Sequence, residues 1–233
     1  MTVALSVTIL PLSAFAHEQH AYRIGNKTYV FTVGSINEPL IVDDKSGLDL
    51  TVVEGGGLPT MGPDGDMDGP PAASKPVAGL EKMLKVEMVA GTQKKTMDIT
   101  PAFGALGSYK TTFFPTVQTT FSYRLFGTLN SVPVDLTFTC NPAGHPMVAE
   151  DTTATKISDT VTQLSKSGAF GCPVARADLG FPEQSITTYD LNTKISEAKD
   201  AAASSRSKGM AGIVFGVLGL VAGGGALMRR RTH

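Results

Sequence analysis

The feature that most constrains this chain is an uncharged stretch of twenty residues near its C-terminus, from Gly209 to Met228. At a helical rise of about 1.5 Å per residue, such a stretch spans about 30 Å, the thickness of a bilayer's hydrocarbon core. Three arginines, Arg229 to Arg231, follow directly, and basic residues beside a membrane span stay on its cytoplasmic side. The sequence therefore predicts a single-pass membrane protein with a transmembrane helix at 209–228 and a cytoplasmic tail at 229–233.

The N-terminus is consistent with this orientation. Residues 1–16 are apolar, too few to span a bilayer, and end in Ala14-Phe15-Ala16, the small-x-small pattern of a signal-peptidase site. The run lacks the basic residue that usually precedes such a segment, which leaves the true start codon open. Cleavage after Ala16 makes His17 the first mature residue. The sequence thus predicts a signal peptide and an extracytoplasmic domain anchored in the cell membrane.

Composition and motifs exclude several functions. Three of the 20 basic residues lie in the predicted tail, so the 21 acidic residues outnumber the basic ones in the exported part, which argues against nucleic-acid binding. The chain has no phosphate loop, no Gly-x-Ser-x-Gly turn and no His-Glu-x-x-His motif. His145 is the only histidine away from the termini. We therefore predict that the protein is not an enzyme.

Several short segments alternate apolar and polar residues, the period of a half-buried strand. Gly, Pro and Asn turns separate them without an intervening helical pattern, as in an antiparallel sandwich. The sequence predicts an all-β, Ig-like antiparallel sandwich over residues 17–140, with a Gly- and Pro-rich disordered insertion at 54–76. The apolar residues assigned to its buried faces are Tyr29, Phe31, Val33, Leu48, Leu50, Val52, Leu84, Val86, Met88, Met97, Ile99, Phe121, Tyr123, Leu125, Val134, Leu136 and Phe138.

Beyond Cys140 the pattern changes. Residues 141–192 read as an irregular extension, within which Asp151 to Ser167 has a weak helical spacing of apolar residues. The chain's two cysteines, Cys140 and Cys172, both lie in the exported part, where an even pair favours a disulfide over a metal site. The polar composition of residues 193–208, with few apolar positions, predicts a helical stalk that leads to the membrane.

The predicted mature N-terminus is a candidate copper site. A free α-amine beside the imidazole of His17 can chelate Cu(II), and His20 could add a third nitrogen. Periplasmic copper carriers and lytic polysaccharide monooxygenases both place a histidine at the cleaved N-terminus of an Ig-like sandwich. The alternative is a frayed, solvated tip whose histidines have no role.

Three further motifs have weaker functional interpretations. His145 and Met147 follow Cys140 and could bind copper, although the Pro- and Gly-rich context favours a plain loop. Residues 64–69 resemble half of a calcium loop, but Lys75 replaces the bidentate Glu that would complete it. Asn26 begins a glycosylation sequon whose use depends on the host.

The predicted membrane helix carries glycines at spacings of three and four, which form one smooth stripe with two Gly-x-x-x-Gly pairs. Such a stripe lets a second helix approach closely, so it predicts a homodimer or a membrane-protein partner. The alternative is the general enrichment of Gly in membrane helices. The stripe comprises Gly209, Gly212, Gly216, Gly219 and Gly223.

The exported region resembles an uncharacterised group of bacterial and archaeal membrane-anchored proteins with an Ig-like domain. The residues that carry the resemblance are Ala16-His17-Glu18, Val33 to Pro39, Gly79 to Lys82, Phe113 to Thr116 and Tyr123 to Thr128. More loosely, the architecture is similar to copper-resistance and YtkA-like periplasmic domains. The resemblance itself implies little about function. The residues favour a non-enzymatic module that binds or delivers copper near the membrane through His17 and His20. The alternative is an accessory or adhesion subunit that binds a protein partner through the sandwich and the glycine-striped helix, and an N-terminal-His monooxygenase ranks third.

Overall fold

The computed structural model describes residues 17–56, 73–143, 150–178, 180 and 182–205. The chain divides into two compact units, Met1–Ala177 and Asp178–His233. Several predictions lie outside the described residues, and these are the signal peptide, the half calcium loop, His145, Met147, the apolar stretch 209–228 with its glycine stripe, and the cytoplasmic tail.

In the first unit, the described residues form twelve β-strands and one short 3-10 helix, Leu80–Lys82. The strands are β1 His17–Ile24, β2 Lys27–Ser35, β3 Leu48–Glu54, β4 Lys75–Pro76, β5 Leu84–Ala90, β6 Gln93–Asp98, β7 Thr100–Pro101, β8 Ser108–Lys110, β9 Ser122–Leu129, β10 Val132–Thr139, β11 Thr155–Lys156 and β12 Val161–Gly168.

All pairs of neighbouring strands are antiparallel, and they form two sheets. The larger sheet has the order β11-β12-β1-β2-β3-β8-β7, with β4 also paired to β3. The smaller sheet has the order β10-β9-β5-β6. Apolar residues of both sheets pack into one core, so the arrangement is that of a β-sandwich, as the alternating pattern predicted.

The buried faces follow the predicted alternation closely. Phe31, Leu50 and Tyr123 are fully buried in the common core, as are most residues assigned to it. Met88 and Met97 are only partly buried at its margin. The larger sheet also buries Ala21, Val30, Val53 and Leu164 in a second cluster, wholly or in part, so its strands are covered on both faces.

The predicted helical character of residues 151–167 is wrong, because this segment contains β11 and most of β12. Val161 is buried in the common core, whereas Leu164 packs against the second cluster. Residues three apart on a strand point to opposite faces, so a strand covered on both faces imitates a helical spacing. Because β12 pairs with β1, the sheet extends past Cys140 into the segment interpreted as irregular.

The predicted insertion is shorter than its assigned bounds of 54–76. Glu54 still belongs to β3, and Lys75–Pro76 forms β4 against it. Lys27 Nζ donates to Glu54 Oε2 at 2.9 Å, which fixes this strand end. Only residues 57–72 of the insertion lie outside the described part.

The sandwich has two ends of different construction. We call the turn end the one that holds the Gly25-Asn26 and Asn130-Ser131 turns between β1–β2 and β9–β10. We call the disulfide end the opposite one, where the predicted bond joins Cys140 to Cys172 with a Cα–Cα distance of 4.9 Å. β1 starts and β2 ends at the disulfide end.

In the second unit, residues 188–205 are helical, so the helix begins before the predicted start at residue 193. The reason is an N-terminal cap: the Asp190 amide donates to Thr187 Oγ1 at 3.1 Å, and the Thr187 hydroxyl donates to the Asp190 carboxylate at 2.7 Å. Within the described residues, no helix is long and apolar enough to cross a membrane.

Candidate functional sites at the disulfide end

The two predicted copper ligands at the N-terminus lie in β1, so they belong to an ordered strand and not to a frayed tip. Neighbouring residues of a strand point to opposite faces, and residues three apart do the same. His20 therefore faces the common core with Tyr22, whereas His17 faces the outer surface of the larger sheet. The structure does not bring the two imidazoles together.

His20 is the centre of a buried polar chain. Its Nε2 lies 2.6 Å from Glu18 Oε1, and its Nδ1 lies 2.7 Å from the Tyr22 hydroxyl. A carboxylate only accepts, so Nε2 donates to Glu18, while Nδ1 and the Tyr22 hydroxyl share the second hydrogen bond. Burial, and then the nearby Glu18 carboxylate, raise the pKa of Tyr22. Both nitrogens of His20 are thus engaged inside the fold, and the ring packs against Phe138.

His17 has a different environment on the outer face. It pairs with Gly34 of β2, which pairs in turn with Asp49 of β3. Because Gly34 has no side chain, the imidazole and the carboxylate approach each other across it, with His17 Nε2 3.8 Å from Asp49 Oδ2. Both side chains are about one-third exposed, at 33% and 30%.

A second polar group lies where β2 ends. The Ser35 amide donates to Glu38 Oε1 at 3.1 Å. Burial raises the pKa of Glu38 to about 7, although the Ser35 hydrogen bonds and the nearby His17 counteract part of the shift. Burial likewise raises the pKa of Tyr123, which Ser35 partly offsets. The carboxyl of Glu38 is therefore a group that titrates near neutral pH at this end.

The disulfide end also contains an open apolar groove of about 510 Å³. Its apolar residues come from β5 and from the segment between β8 and β9, and Phe113 and Phe121 contact each other edge to face there. Phe114 and Val117 line the groove and are 58% and 42% exposed. Large apolar side chains that remain in water beside a cavity are typical of a binding surface.

A smaller cavity of about 270 Å³ follows the same strand edge. Lys95 lines both cavities, and Met97 and Lys110 line the smaller one. β6 is the last strand of the smaller sheet, so one side of its backbone has no partner strand among the described residues. We refer to the two cavities and the free side of β6 together as the β6 groove.

The turn end has an exposed apolar loop of its own. The loop between β7 and β8 contains Phe103, which is fully exposed, and Leu106, which is 78% exposed. A cavity of about 420 Å³ lies beside them, lined mainly by small residues and glycines. The described part of this loop offers no unpaired cation comparable to Lys95, so it provides an apolar surface with less chemical specificity.

Across the described residues, no group of three or more His, Cys, Asp or Glu side chains is placed to hold a metal ion. Sequence reasoning missed the β6 groove, although two signals were available. Lys94-Lys95 forms a basic pair in an otherwise alternating strand, and Phe113-Phe114-Pro115 is an aromatic run interrupted by a turn residue.

No family model, curated protein or solved structure matches the chain.

Proposed function

We propose that this protein is a membrane-anchored, extracytoplasmic accessory module with an Ig-like sandwich that binds a protein partner at its disulfide end. The observation that carries the proposal is the open phenylalanine-lined groove with Phe114 and Val117 exposed at its rim. Burying such side chains against a partner is favourable by about 25 cal/mol per Å² of apolar area.

The groove lies at the same end of the sandwich as the last residues of that unit. The backbones of Phe113 and Ser46 are hydrogen-bonded there, as are those of Val174 and Leu40. The predicted glycine stripe supports a partner in the same membrane, because it would give such a partner a second contact.

The test is site-specific photo-crosslinking in native membranes with the full-length chain. A benzophenone amino acid at position 114 is expected to give one discrete adduct, whereas the same group at position 103 gives none. Both positions are exposed phenylalanines, so they differ chiefly in which end of the sandwich they occupy.

The specificity of that adduct is checked with two matched variants. Val117→Asp places a charge in the groove and is expected to abolish the adduct at position 114. Leu106→Asp makes the same change at the turn end and leaves the adduct intact. An adduct that survives Val117→Asp, or that forms only at position 103, would refute the proposal.

A second candidate function, copper binding by the mature N-terminus, is favoured by one observation. Asp49 Oδ2 lies 3.8 Å from Nε2 of His17, which is beyond hydrogen-bond distance but places a negative charge beside the imidazole, and that charge would favour a bound cation. The α-amine and Nδ1 of His17 would then form the chelate, with His20 excluded because its nitrogens are engaged.

Copper titration of mature protein beginning at His17 tests this candidate. An added N-terminal Gly moves the amine away from the imidazole and is expected to weaken Cu(II) binding by at least tenfold. His20→Gln serves as the control and should leave the affinity unchanged. Equal affinities with and without the extra Gly would exclude the site.

A further inference from the structure

The free edge of β6 is the feature from which the chemistry of a partner can be derived. The two-residue turn Gly91-Thr92 makes Ala90 and Gln93 a pair that exchanges hydrogen bonds. Hydrogen-bonding direction alternates along a strand, so Lys94, Thr96 and Asp98 direct their amides and carbonyls away from β5. No described residue bonds to them on that side.

The side chains along this edge supply a charge and an apolar pocket. Lys95 lies opposite Met88 in the ladder, so it shares the inner face of the sheet and the wall of the groove. Lys94 lies on the other face, where its ammonium is 3.7 Å from Glu87. Lys95 makes no ion pair with any described residue and lies at both cavities, so it is available to a ligand, and Lys110 adds a second cation at the smaller cavity.

We infer that the β6 groove binds an extended segment of a partner protein, which adds to the free edge of β6 as a further strand. The segment carries a carboxylate opposite Lys95. Two residues away it carries an apolar side chain, which enters the larger cavity of the β6 groove, lined by Phe113 and Phe121. This inference rests on the proposed function, since it names the chemistry of the partner for the same end of the sandwich.

The spacing of two residues follows from strand geometry. Alternate side chains of an added strand point to the same face, about 6.6–6.8 Å apart. A carboxylate and an apolar residue separated by one position therefore both face the groove, while the intervening residue faces water. Main-chain bonds supply affinity and alternate side chains supply specificity in this mode of recognition.

A second copy of this chain is the competing occupant of the edge. Antiparallel pairing of two β6 strands centred on Lys95 would set the two Lys95 side chains opposite each other, and facing like charges destabilise a strand pair. Pairing centred on Thr96 would instead set Lys94 opposite Asp98, and the Thr96→Cys variant below tests that register. Lysines on an edge strand are in fact a common means of preventing such self-association.

The test measures binding of fluorescent peptides to the full-length protein in lipid nanodiscs. The probes are Ser-Thr-Glu-Thr-Leu-Thr-Ser and its reverse, Ser-Thr-Leu-Thr-Glu-Thr-Ser, because a strand can add in either direction. One of the two peptides is expected to bind, and its affinity should fall at least tenfold when Lys replaces its Glu. N-methylation of alternate amides should also cost at least tenfold, because it removes donors to the β6 edge.

Variants of the protein separate this mode from non-specific attraction. Lys95→Glu is expected to weaken binding of the peptide that contains Glu by at least tenfold and to strengthen binding of the peptide in which Lys replaces Glu. Lys82→Glu makes the same charge change beside the start of β5, at the opposite end of that strand, and should change neither affinity. Thr96→Pro removes an outward amide and should abolish binding, whereas Thr96→Val keeps it.

The outcomes distinguish this inference from the proposed function. If neither probe binds, or if Lys95→Glu leaves binding unchanged, strand addition is refuted while an adduct at position 114 would still support a partner. If Thr96→Cys gives an interchain disulfide in the full-length protein, a second copy occupies the edge and the inference is wrong. Peptide binding without any adduct at position 114 would support the inference and count against the proposed partner.

Discussion

The two ends of the sandwich are held in different ways. At the turn end, neighbouring strands are joined by two-residue turns, and Asn130 and Ser131 adopt positive φ angles of 50° and 64°. At the disulfide end, segments distant in sequence meet: Ile41 bridges Val174, Asn141 bridges Gly171, and Cys140 is bonded to Cys172. The long connections at the disulfide end supply much of the groove and the buried polar groups, beside the two-residue Gly91-Thr92 turn.

The largest expected effect is the loss of Phe170, which is fully buried against Phe121 and Tyr123. Phe170→Ala should lower the free energy of unfolding by about 3–5 kcal/mol, because it leaves a cavity in the core. Urea denaturation measures the change. Leu129→Ala at the turn end is the control: it should also destabilise, but it should leave peptide binding in the β6 groove intact among folded molecules.

Removal of the disulfide should have the next largest effect. The bond closes a loop with a sequence separation of 32, so Cys140→Ser with Cys172→Ser should cost about 3–4 kcal/mol. Hydrogen exchange should rise at residues 170–174 and 39–46, while amides near Gly25 and Asn130 keep their relative protection. An equal rise at both ends would contradict the distinction between them.

The raised pKa of Glu38, at the disulfide end, predicts that the free energy of unfolding depends on pH. Burial raises its folded pKa to about 7 from the ordinary value of 4.5, so the folded state holds a proton that the unfolded state releases. The contribution to stability is present below pH 4.5 and is lost as pH rises through 7. The expected loss is about 1–2 kcal/mol, because the carboxyl is only partly buried.

The measurement is the free energy of unfolding of wild type and Glu38→Gln between pH 4 and pH 8. The variant should lack this decline, since its amide does not ionise. Identical pH profiles for the two proteins would show that Glu38 does not titrate in this range.

The smallest expected effect is a gain of stability from a substitution at the turn end. Ser131 has a φ of 64°, a conformation that costs most residues about 1–2 kcal/mol but suits glycine. Ser131→Gly should therefore raise the free energy of unfolding by about 0.5–1 kcal/mol, as an Asn-Gly turn suits a tight hairpin. Thermal denaturation checks this, with no change expected in groove binding. A loss of stability would show that Ser131 contributes more than its backbone geometry suggests.

Sequence reasoning was most successful where structure is local. Alternation around Phe31, Leu50 and Tyr123 predicted the buried faces, because a half-buried strand imposes a period of two. It failed at Val161 and Leu164, because a strand covered on both faces has no such period. The cysteine pair was predicted from compartment chemistry and is confirmed.

The candidate sites were less accessible to prediction. His17 and His20 are close in sequence, yet strand geometry separates their side chains, and only the fold reveals Glu18 and Tyr22 as partners of His20. The β6 groove combines residues of β5 and β6 with the segment 112–121 and Pro173. No local pattern encodes such a meeting of distant segments, so the groove required the structure.

The pairing of β1 with both β2 and β12 also has a consequence for biogenesis. In the order of synthesis, β1 acquires its β2 neighbour at once, but β12 begins only at Val161. At synthesis rates of about 5–20 residues per second, one edge of β1 waits roughly 10–30 s for its partner. Completion of the larger sheet is therefore among the last steps in the folding of this unit, and that edge of β1 is exposed until then.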